Sequence, residues 1–269
     1  LELRNSSFAW KKHANELTES SIELNNENLN GEQQRRAAAG SGSVLNSINF
    51  KLAQGKLIGV IGKVGSGKTS FLHALMGEID KLDGRVRIDS YLCSQGFAYV
   101  SQECWIQGTT IRANILFGQD FDQELYDRVV EVCALRADFD LLPRRDETPV
   151  GENGITLSGG QKARISLARA CYSFRTKDVF LLDDPLSAVD VHVASHIFEK
   201  CIRGFLAYKT RILCTHHIKY LTSADQVLVI DNGNVVMSGQ GQDLIESYLK
   251  SSTLTLRTSS TSSSLSELQ

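Results

Sequence analysis

Short apolar runs alternate along this chain with stretches whose apolar residues recur at helical spacing. Leu57, Ile58, Val60 and Ile61 form one compact run, and Phe97–Val100, Val179–Leu182, Arg211–Cys214 and Val227–Ile230 form others. Each is short enough for a strand buried on both faces. Between them, Phe71, Leu72, Ala74, Leu75 and Met76 have helical spacing, as do Ile111–Phe117 and Gln123–Leu135. Helices are also expected over Ser158–Tyr172, Val191–Leu206 and Asp243–Leu249. Strands alternating with helices predict an α/β domain on a mostly parallel sheet. Asp231-Asn232-Gly233-Asn234 is a strong turn signal and predicts a hairpin between Val227–Ile230 and Val235–Met237. Leu1–Trp10 alternates weakly, which would put Phe8 and Trp10 on one face of a first strand. Val44–Leu52 reads as a second strand, and Arg85–Ile88 as an edge strand after a turn at Lys81-Leu82-Asp83-Gly84. Residues 105–157 are mainly helical in pattern and read as a subdomain inserted into the α/β core.

Two stretches break the pattern. Residues 11–43 are polar and rich in Asn, Glu and Ser, and bury too little apolar surface to offset the entropy of ordering. They are expected to be a flexible insertion. Residues 251–269 are dominated by Ser and Thr and read as a disordered linker. A domain over 1–250 remains.

Composition excludes more than it identifies. Apolar content of 42% and charged content of 22% are ordinary for a globular chain. A formal net charge of −2 argues against a general nucleic-acid binder. No run approaches the roughly 18–20 apolar residues of a membrane span. The chain opens on Leu1 without a signal-like segment, and is expected to be a piece of something longer. None of the six cysteines forms a C-x-x-C pair, and most lie in apolar runs. They are expected to be reduced core residues of a cytosolic domain.

The chemistry begins at Gly62-Lys63-Val64-Gly65-Ser66-Gly67-Lys68-Thr69-Ser70. The spacing fits a phosphate-binding loop, and the flanking strand and helix supply the context that motif requires. Glycines let the backbone N–H groups of Gly65 to Thr69 turn around an anion, and the following helix adds its positive end. Lys68 supplies a charge for the β- and γ-phosphates, and the Thr69 hydroxyl is a ligand for Mg²⁺. A second site is Val179-Phe180-Leu181-Leu182-Asp183-Asp184-Pro185. A carboxylate ending a buried parallel strand lies beside the phosphate loop in such folds. Asp183 is then placed to hold Mg²⁺, with Asp184 where a base or water-positioning group would sit. A third is Leu157-Ser158-Gly159-Gly160-Gln161. Its glycines leave bare N–H groups at a helix start, suited to the γ-phosphate of a nucleotide held by another domain; Ser158 is equally suited to capping that helix.

In their order, these motifs resemble those of ATP-binding cassette (ABC) nucleotide-binding domains across nearly all of residues 1–250. Gly62–Ser70 resembles the Walker A loop, and Asp183 lies where Walker B ends. Leu157–Gln161 resembles the signature, Gln102 the Q-loop, Ser187-Ala188-Val189-Asp190 the D-loop and His216 the switch histidine. Trp10 falls at the aromatic that stacks on adenine. Thr148-Pro149-Val150-Gly151-Glu152-Asn153-Gly154 is similar to the exporter X-loop. Trp105-Ile106-Gln107, Thr110–Gly118 and Asp183–Asp190 resemble the first of the two cassettes in subfamily C, the multidrug resistance-associated proteins; Arg211–His216 points to one branch of it.

The resemblance implies a P-loop core with a mixed sheet and helices, an antiparallel β subdomain and the inserted α-helical subdomain. It also implies ATP and Mg²⁺ as ligands, with Thr69, Gln102 and Asp183 at the metal. Trp10, Gly62, Gly65, Ser66, Gly67, Lys68, Thr69 and Ser70 would bind the chain's own nucleotide. Ser158, Gly159, Gly160 and Gln161 would meet the partner's, and Asp184, His216 and Gln102 would serve catalysis. The implied partners are a second cassette, joined head to tail through ATP, and the intracellular helices of transmembrane domains. The implied place is the cytoplasmic face of a membrane, reached through a parent protein, with no nucleic acid involved.

Two departures from the family pattern matter. Most active cassettes carry Glu where Asp184 stands, and Asp is one methylene shorter. A displacement of about 1 Å costs on the order of 10²-fold in rate. This site is therefore expected to bind ATP and hydrolyse it poorly, while the signature completes a competent site on the partner. The insertion at 11–43 directly follows Trp10, which puts its stacking in question. A regulatory, nucleotide-sensing cassette of a channel or a channel regulator fits Asp184 as well as an exporter does; a soluble ABC ATPase acting on DNA or ribosomes fits less well.

Overall fold

The computed structural model describes residues 1–10, 43–87, 95–154 and 156–250. The expected insertion at 11–43 lies outside them except for Ser43, as do Ile88, Cys93 and the 251–269 tail.

Two sheets share one hydrophobic layer. The larger is built from β3 (Leu57–Ile61), β5 (Phe97–Val100), β6 (Val179–Asp183), β7 (Thr210–Cys214), β8 (Gln226–Asp231) and β9 (Asn234–Gly239), in the order β5-β6-β7-β3-β8-β9. All its pairings are parallel except the β8–β9 hairpin. The smaller sheet is antiparallel, with β1 (Glu2–Ala9) between β2 (Leu45–Lys51) and β4 (Asp80–Arg87).

Alternation along the large sheet divides the core in two. Ile58, Val60, Val179, Leu181, Ile212, Leu228 and Ile230 face one cluster, with Phe71, Leu72 and Leu75 of helix α1 (Lys68–Met76) and the apolar side of the small sheet. Leu57, Ile61, Phe180, Leu182, Leu213, Val227 and Val229 face the other, with the helices of the inserted subdomain. Because both faces are covered, these strands read as continuous apolar runs rather than as alternating ones.

The inserted subdomain contains α2 (Ile111–Leu116), α3 (Gln123–Val132) and α4 (Arg136–Leu141), followed by single 3₁₀ turns. Thr110 caps α2 by accepting from Ala113 N–H, and Asp122 caps α3 by accepting from Leu125 N–H. Asp146 accepts from Arg112 Nε at 2.7 Å and from the Tyr126 hydroxyl at 2.8 Å, tying α2, α3 and the 3₁₀ turn together. The stretch that follows Thr148 is pinned back onto the start of α2 by an isolated bridge between Thr110 and Pro149. Helix α5 (Gly159–Tyr172) carries the chain from this subdomain to β6.

Four sequence expectations need correction. The segment Lys81–Gly84 is a part of β4 rather than a turn before a strand. Asn5 (φ 45°) bulges out of β1, and Gly84 (φ 82°) lies opposite, where a Cβ would come within 2.2 Å of the Asn5 carbonyl oxygen. The same bulge breaks the alternation of β1, so Ser6 to Ala9 are all buried, while Trp10 lies past the strand end at 36% exposure. The helix expected at Val191–Leu206 is α-helical only in α6 (Val191–His196) and continues as a π-helix over Ile197–Phe205. Gly204 lies near its end, where a Cβ would come 3.0 Å from the Glu199 carbonyl oxygen. The short helix α7 (Ile218–Leu221) has no counterpart among the expected elements; the expected C-terminal helix is present as α8 (241–250).

The β8–β9 turn is the point where both sheets and the phosphate loop meet. Gly233 N–H donates to the Ser66 carbonyl at 2.9 Å, and Gly233 O accepts from Asn46 N–H at 2.8 Å. Gly233 has φ 73°, and a Cβ would lie 2.4 Å from the Val44 carbonyl oxygen. Gly233→Ala is therefore expected to cost about 1–3 kcal/mol and to lower the melting midpoint by several degrees. Gly118→Ala, at φ 81° with nothing within 4 Å, should cost clearly less in the same thermal melts.

Candidate nucleotide site

The carboxyl ends of four neighbouring strands bring the sequence motifs to one edge of the sheet. In sheet order, β5 runs out to Gln102, β6 into Asp183 and Asp184, β7 toward His216, and β3 into the loop Gly62–Gly67. Ligands of parallel sheets bind at this edge.

The loop is shaped by close approaches at Gly62 and by positive φ at Gly65 and Gly67. A Cβ on Gly62 would lie 2.2 Å from the Ile230 carbonyl oxygen and 2.4 Å from Ser66 Oγ. Gly65 and Gly67 hold φ values of 77° and 108°, the left-handed region that glycine occupies without steric cost. Gly67 is the N-cap of α1 and makes no side-chain cap bond, so the first N–H groups of α1 face the loop. Lys68 is buried and donates from Nζ to the carbonyls of Gly62 and Lys63, both at 2.9 Å. Ser66 Oγ is buried and has no hydrogen-bond partner. Ser70 lies half-buried in the first turn of α1.

Thr69 Oγ1 donates to Asp183 Oδ2 at 2.7 Å, joining the start of α1 to the end of β6. Burial lifts the Asp183 carboxyl above its ordinary range; the Thr69 hydrogen bond and the Lys68 charge oppose that lift, and Asp184 adds to it. Asp184 is 7% exposed, sits at φ 49°, and its Oδ1 is buried without a partner. Asp tolerates a positive φ better than most residues. Two carboxylates, an unpartnered hydroxyl, the buried Lys68 ammonium and the uncapped start of α1 form a set suited to a phosphate chain and a hard divalent cation such as Mg²⁺.

The remaining expected residues lie around this centre. Gln102 and His216 are exposed where they follow β5 and β7. Trp10 packs edge-on against His73 of α1, with ring centroids 5.2 Å apart, and His73 in turn packs against Tyr99 of β5 at 5.6 Å. This aromatic chain ties Trp10 to the phosphate-loop helix. His73 and Tyr99 went unassigned in the sequence because neither belongs to a motif; the only signal was that His73 lies on the helix after the loop.

The Leu157–Gln161 motif opens α5, away from the loop in sequence and carried by the helical subdomain. Ser158 caps it through a reciprocal box, accepting from Gln161 N–H at 3.2 Å while Gln161 Oε1 accepts from Ser158 N–H at 2.9 Å. Gln161 Nε2 donates to Asp138 at 3.1 Å, so both ends of its side chain are engaged by the protein. Asp138 also holds Arg164 through both carboxylate oxygens at 2.8 Å. Gly159 is exposed with nothing near its Cβ position, whereas Gly160 packs against the Ala188 carbonyl. Asp190, at the end of that same Ser187–Asp190 loop, caps α6 by accepting from His192 and Val193 N–H, both at 3.0 Å.

The ABC transporter family model matches residues 45–187, which run from β2 through β6 and take in the phosphate loop and the signature. Human ATP-binding cassette sub-family C member 10 is 49% identical over 73% of this chain and 13% of its own length. Multidrug resistance protein mrp-7 of Caenorhabditis elegans is 50% identical over 82% of this chain and 14% of its own length. Rat ATP-binding cassette sub-family C member 3 is 48% identical over 75% of this chain and 13% of its own length. The chain thus spans about one seventh of these relatives. With its motif-bearing strand ends and these relatives, the chain belongs to the ABC transporter family, as a nucleotide-binding domain of the multidrug resistance-associated kind.

Proposed function

We propose that this domain binds ATP with Mg²⁺, hydrolyses it slowly at its own site, and lends its signature to a faster site on a second cassette of one parent transporter. The observation that carries the reading is the Thr69–Asp183 hydrogen bond between two partly and fully buried groups, flanked by Ser66 Oγ and Asp184 Oδ1 with no protein partner. Buried polar atoms left unpaired cost about 1–3 kcal/mol each, and a phosphate or a cation–water shell relieves that cost.

In this reading the loop N–H groups and the α1 N-terminus hold the phosphates, and Lys68 exchanges its two carbonyl bonds for the β- and γ-phosphate oxygens. Thr69, Asp183 and Gln102 are the residues that would hold Mg²⁺, which neutralises phosphate charge when bound. Asp184 and His216 orient a water for attack on the γ-phosphorus; the bond to the β–γ bridging oxygen breaks, leaving ADP and inorganic phosphate. Asp184 reaches less far than a glutamate would, which makes this step slow. Trp10 offers its free ring surface to the adenine, a contact worth about 1–3 kcal/mol that discriminates poorly between bases.

Coupling to export belongs to the same proposal. A cleft of about 680 Å³ is lined by Tyr99, Ser101, Trp105, Phe117 and Arg169 among others. Arg169 stacks over Trp105 at 4.1 Å and donates to the Asn114 carbonyl at 2.9 Å, while Trp105 and Phe117 are each about half exposed. An apolar cleft with a fixed aromatic–arginine wall suits an intracellular helix of the transmembrane domains. The Thr148–Gly154 loop, pinned to α2, is suited to reading the same partner.

Three outcomes test the reading. Lys68→Ala should weaken ATP binding about 10- to 100-fold, the worth of charge-assisted hydrogen bonds; equal affinity by fluorescence titration would remove the phosphate-loop assignment. Asp184→Glu in the full transporter should raise turnover at this site by up to about 10²-fold, and an unchanged ATPase rate would defeat the slow-site argument. For Asp183 the sign follows from its raised value. The folded chain loses stability as pH rises from about 3.9, the unfolded value, through the higher folded one. Asp183→Asn should therefore melt level with the wild type below that window and above it at neutral pH, while losing Mg²⁺-dependent ATP binding. Melting curves in which the variant is less stable at neutral pH would contradict this.

A further inference from the structure

Three helices outside the nucleotide edge deliver one cysteine each to a single point in the core. Cys133 closes α3, Cys171 lies in the last turn of α5, and Cys201 sits in the π-helical segment Ile197–Phe205. All three are fully buried and free, and their Sγ atoms all lie within 4.8 Å of one another. Cys171 Sγ and Cys201 Sγ are 3.3 Å apart. The other described cysteines do not join this group: Cys214 lies in β7 near the phosphate-loop helix, and Cys104 near the aromatic–arginine cleft.

The spacing suits three sulfurs around one centre. Sulfur–metal bonds of about 2.3 Å place the sulfurs about 3.3 Å apart at right angles and about 4.0 Å apart in a planar trigonal array. Charge then selects the centre. Around three thiolates a monovalent ion leaves a net charge of −2, a divalent ion leaves −1, and a trivalent one leaves none. The core offers little to balance a residual charge. The Arg164 charge is already neutralised by Asp138, both of whose oxygens it holds, although Arg164 Nε is buried without a partner, and His196 Nε2 is bonded to the Glu131 carbonyl. A buried charge without a partner is strongly disfavoured. All three cysteines belong to the apolar cluster that also holds Leu135, Ile197 and Ile202.

We propose that Cys133, Cys171 and Cys201 form a three-thiol site for a trivalent, thiophilic centre of the arsenite class. Binding is a condensation without redox change: three As–O bonds of arsenous acid break, three As–S bonds form, and each thiol proton leaves with a hydroxyl as water. The neutral product fits a dry pocket. It also fastens the far end of α5 to α3 and to the π-helical segment. Some 13 residues separate Cys171 from Ser158 at the other end of α5, about 20 Å at 1.5 Å per residue. The site therefore acts without touching nucleotide. Because the thiols are sealed, uptake needs local opening and is slow. It raises thermal stability because three converging thiols hold the centre more tightly in the folded arrangement than scattered thiols do in the unfolded chain.

The test uses the whole chain, kept reduced with a phosphine and incubated with arsenite. Intact mass spectrometry should find one arsenic in place of three protons, a raised melting temperature and unchanged ATP affinity. Cys133→Ala, Cys171→Ala and Cys201→Ala should each abolish the adduct and the thermal shift, and Cys104→Ala and Cys214→Ala should retain both. X-ray absorption on the wild-type adduct, which needs no variant to fold, should show three sulfurs at about 2.3 Å and no oxygen. An arsenic centre with two sulfurs and a hydroxyl, an adduct that survives in Cys201→Ala, or a Cys171–Cys201 disulfide in the freshly isolated chain would overturn the proposal.

Discussion

Thr69 and Asp183 share a hydrogen bond of 2.7 Å across the sheet, from the helix after β3 to the end of β6, with β7 between them. That contact demands that β3, β7 and β6 be neighbours in parallel register. It is met by pairings that run Leu57 to Val60 against Arg211 to Cys214, and Val179 to Asp183 against Thr210 to Cys214. The parallel order in turn requires crossovers on both faces, and so requires strands that are apolar on both sides. The two clusters that flank the sheet, one under the small antiparallel sheet and one under the helical subdomain, are consequences of placing a polar pair at that edge.

The edge is costly to hold ready. Asp183 is buried and resists ionisation, Asp184 sits at a positive φ with one oxygen unpaired, and Ser66 Oγ has no partner. Single departures of this kind occur elsewhere, as at Arg211 Nε, the Tyr220 hydroxyl and the positive φ of Asn5, but here several of them adjoin at the one edge where ligand chemistry is proposed. Elsewhere polar groups are spent on structure. Asp146 fixes Arg112 and Tyr126, Asp138 fixes Gln161 and Arg164, and Asp190 caps α6. Gln161 shows how one motif residue serves such a role. Its side chain closes the capping box and reaches Asp138, while Gly159 beside it stays exposed.

Much of this was legible because the physics was local. A buried parallel strand is a nearly unbroken apolar run, so β3, β5, β6, β7 and β8 are legible from the order of apolar residues alone. The phosphate loop and the Ser158 cap carry their own spacing. What escaped depends on contacts across the chain. Gly84 looks like a turn residue until Asn5 is seen bulging against it. The π-helical widening at Ile197–Phe205 keeps the apolar spacing of an α-helix closely enough to pass for one. Trp10 was expected to share a face with Phe8, yet the β1 bulge and the strand end place it over His73 instead. The convergence of Cys133, Cys171 and Cys201 is invisible in a sequence where they lie 30 or more residues apart.

The central proposal is that this site binds ATP and cleaves it slowly. The most direct measurement is the chemical state of nucleotide bound at each cassette of the proposed parent transporter during turnover. A photo-crosslinkable, phosphate-labelled ATP would be incubated with Mg²⁺, flashed, and mapped to the peptide containing Gly62–Ser70 or to its counterpart in the second cassette. The account predicts triphosphate on the Gly62–Ser70 peptide and mainly diphosphate on the other. Diphosphate appearing on the Gly62–Ser70 peptide at the same rate as on its counterpart would contradict it.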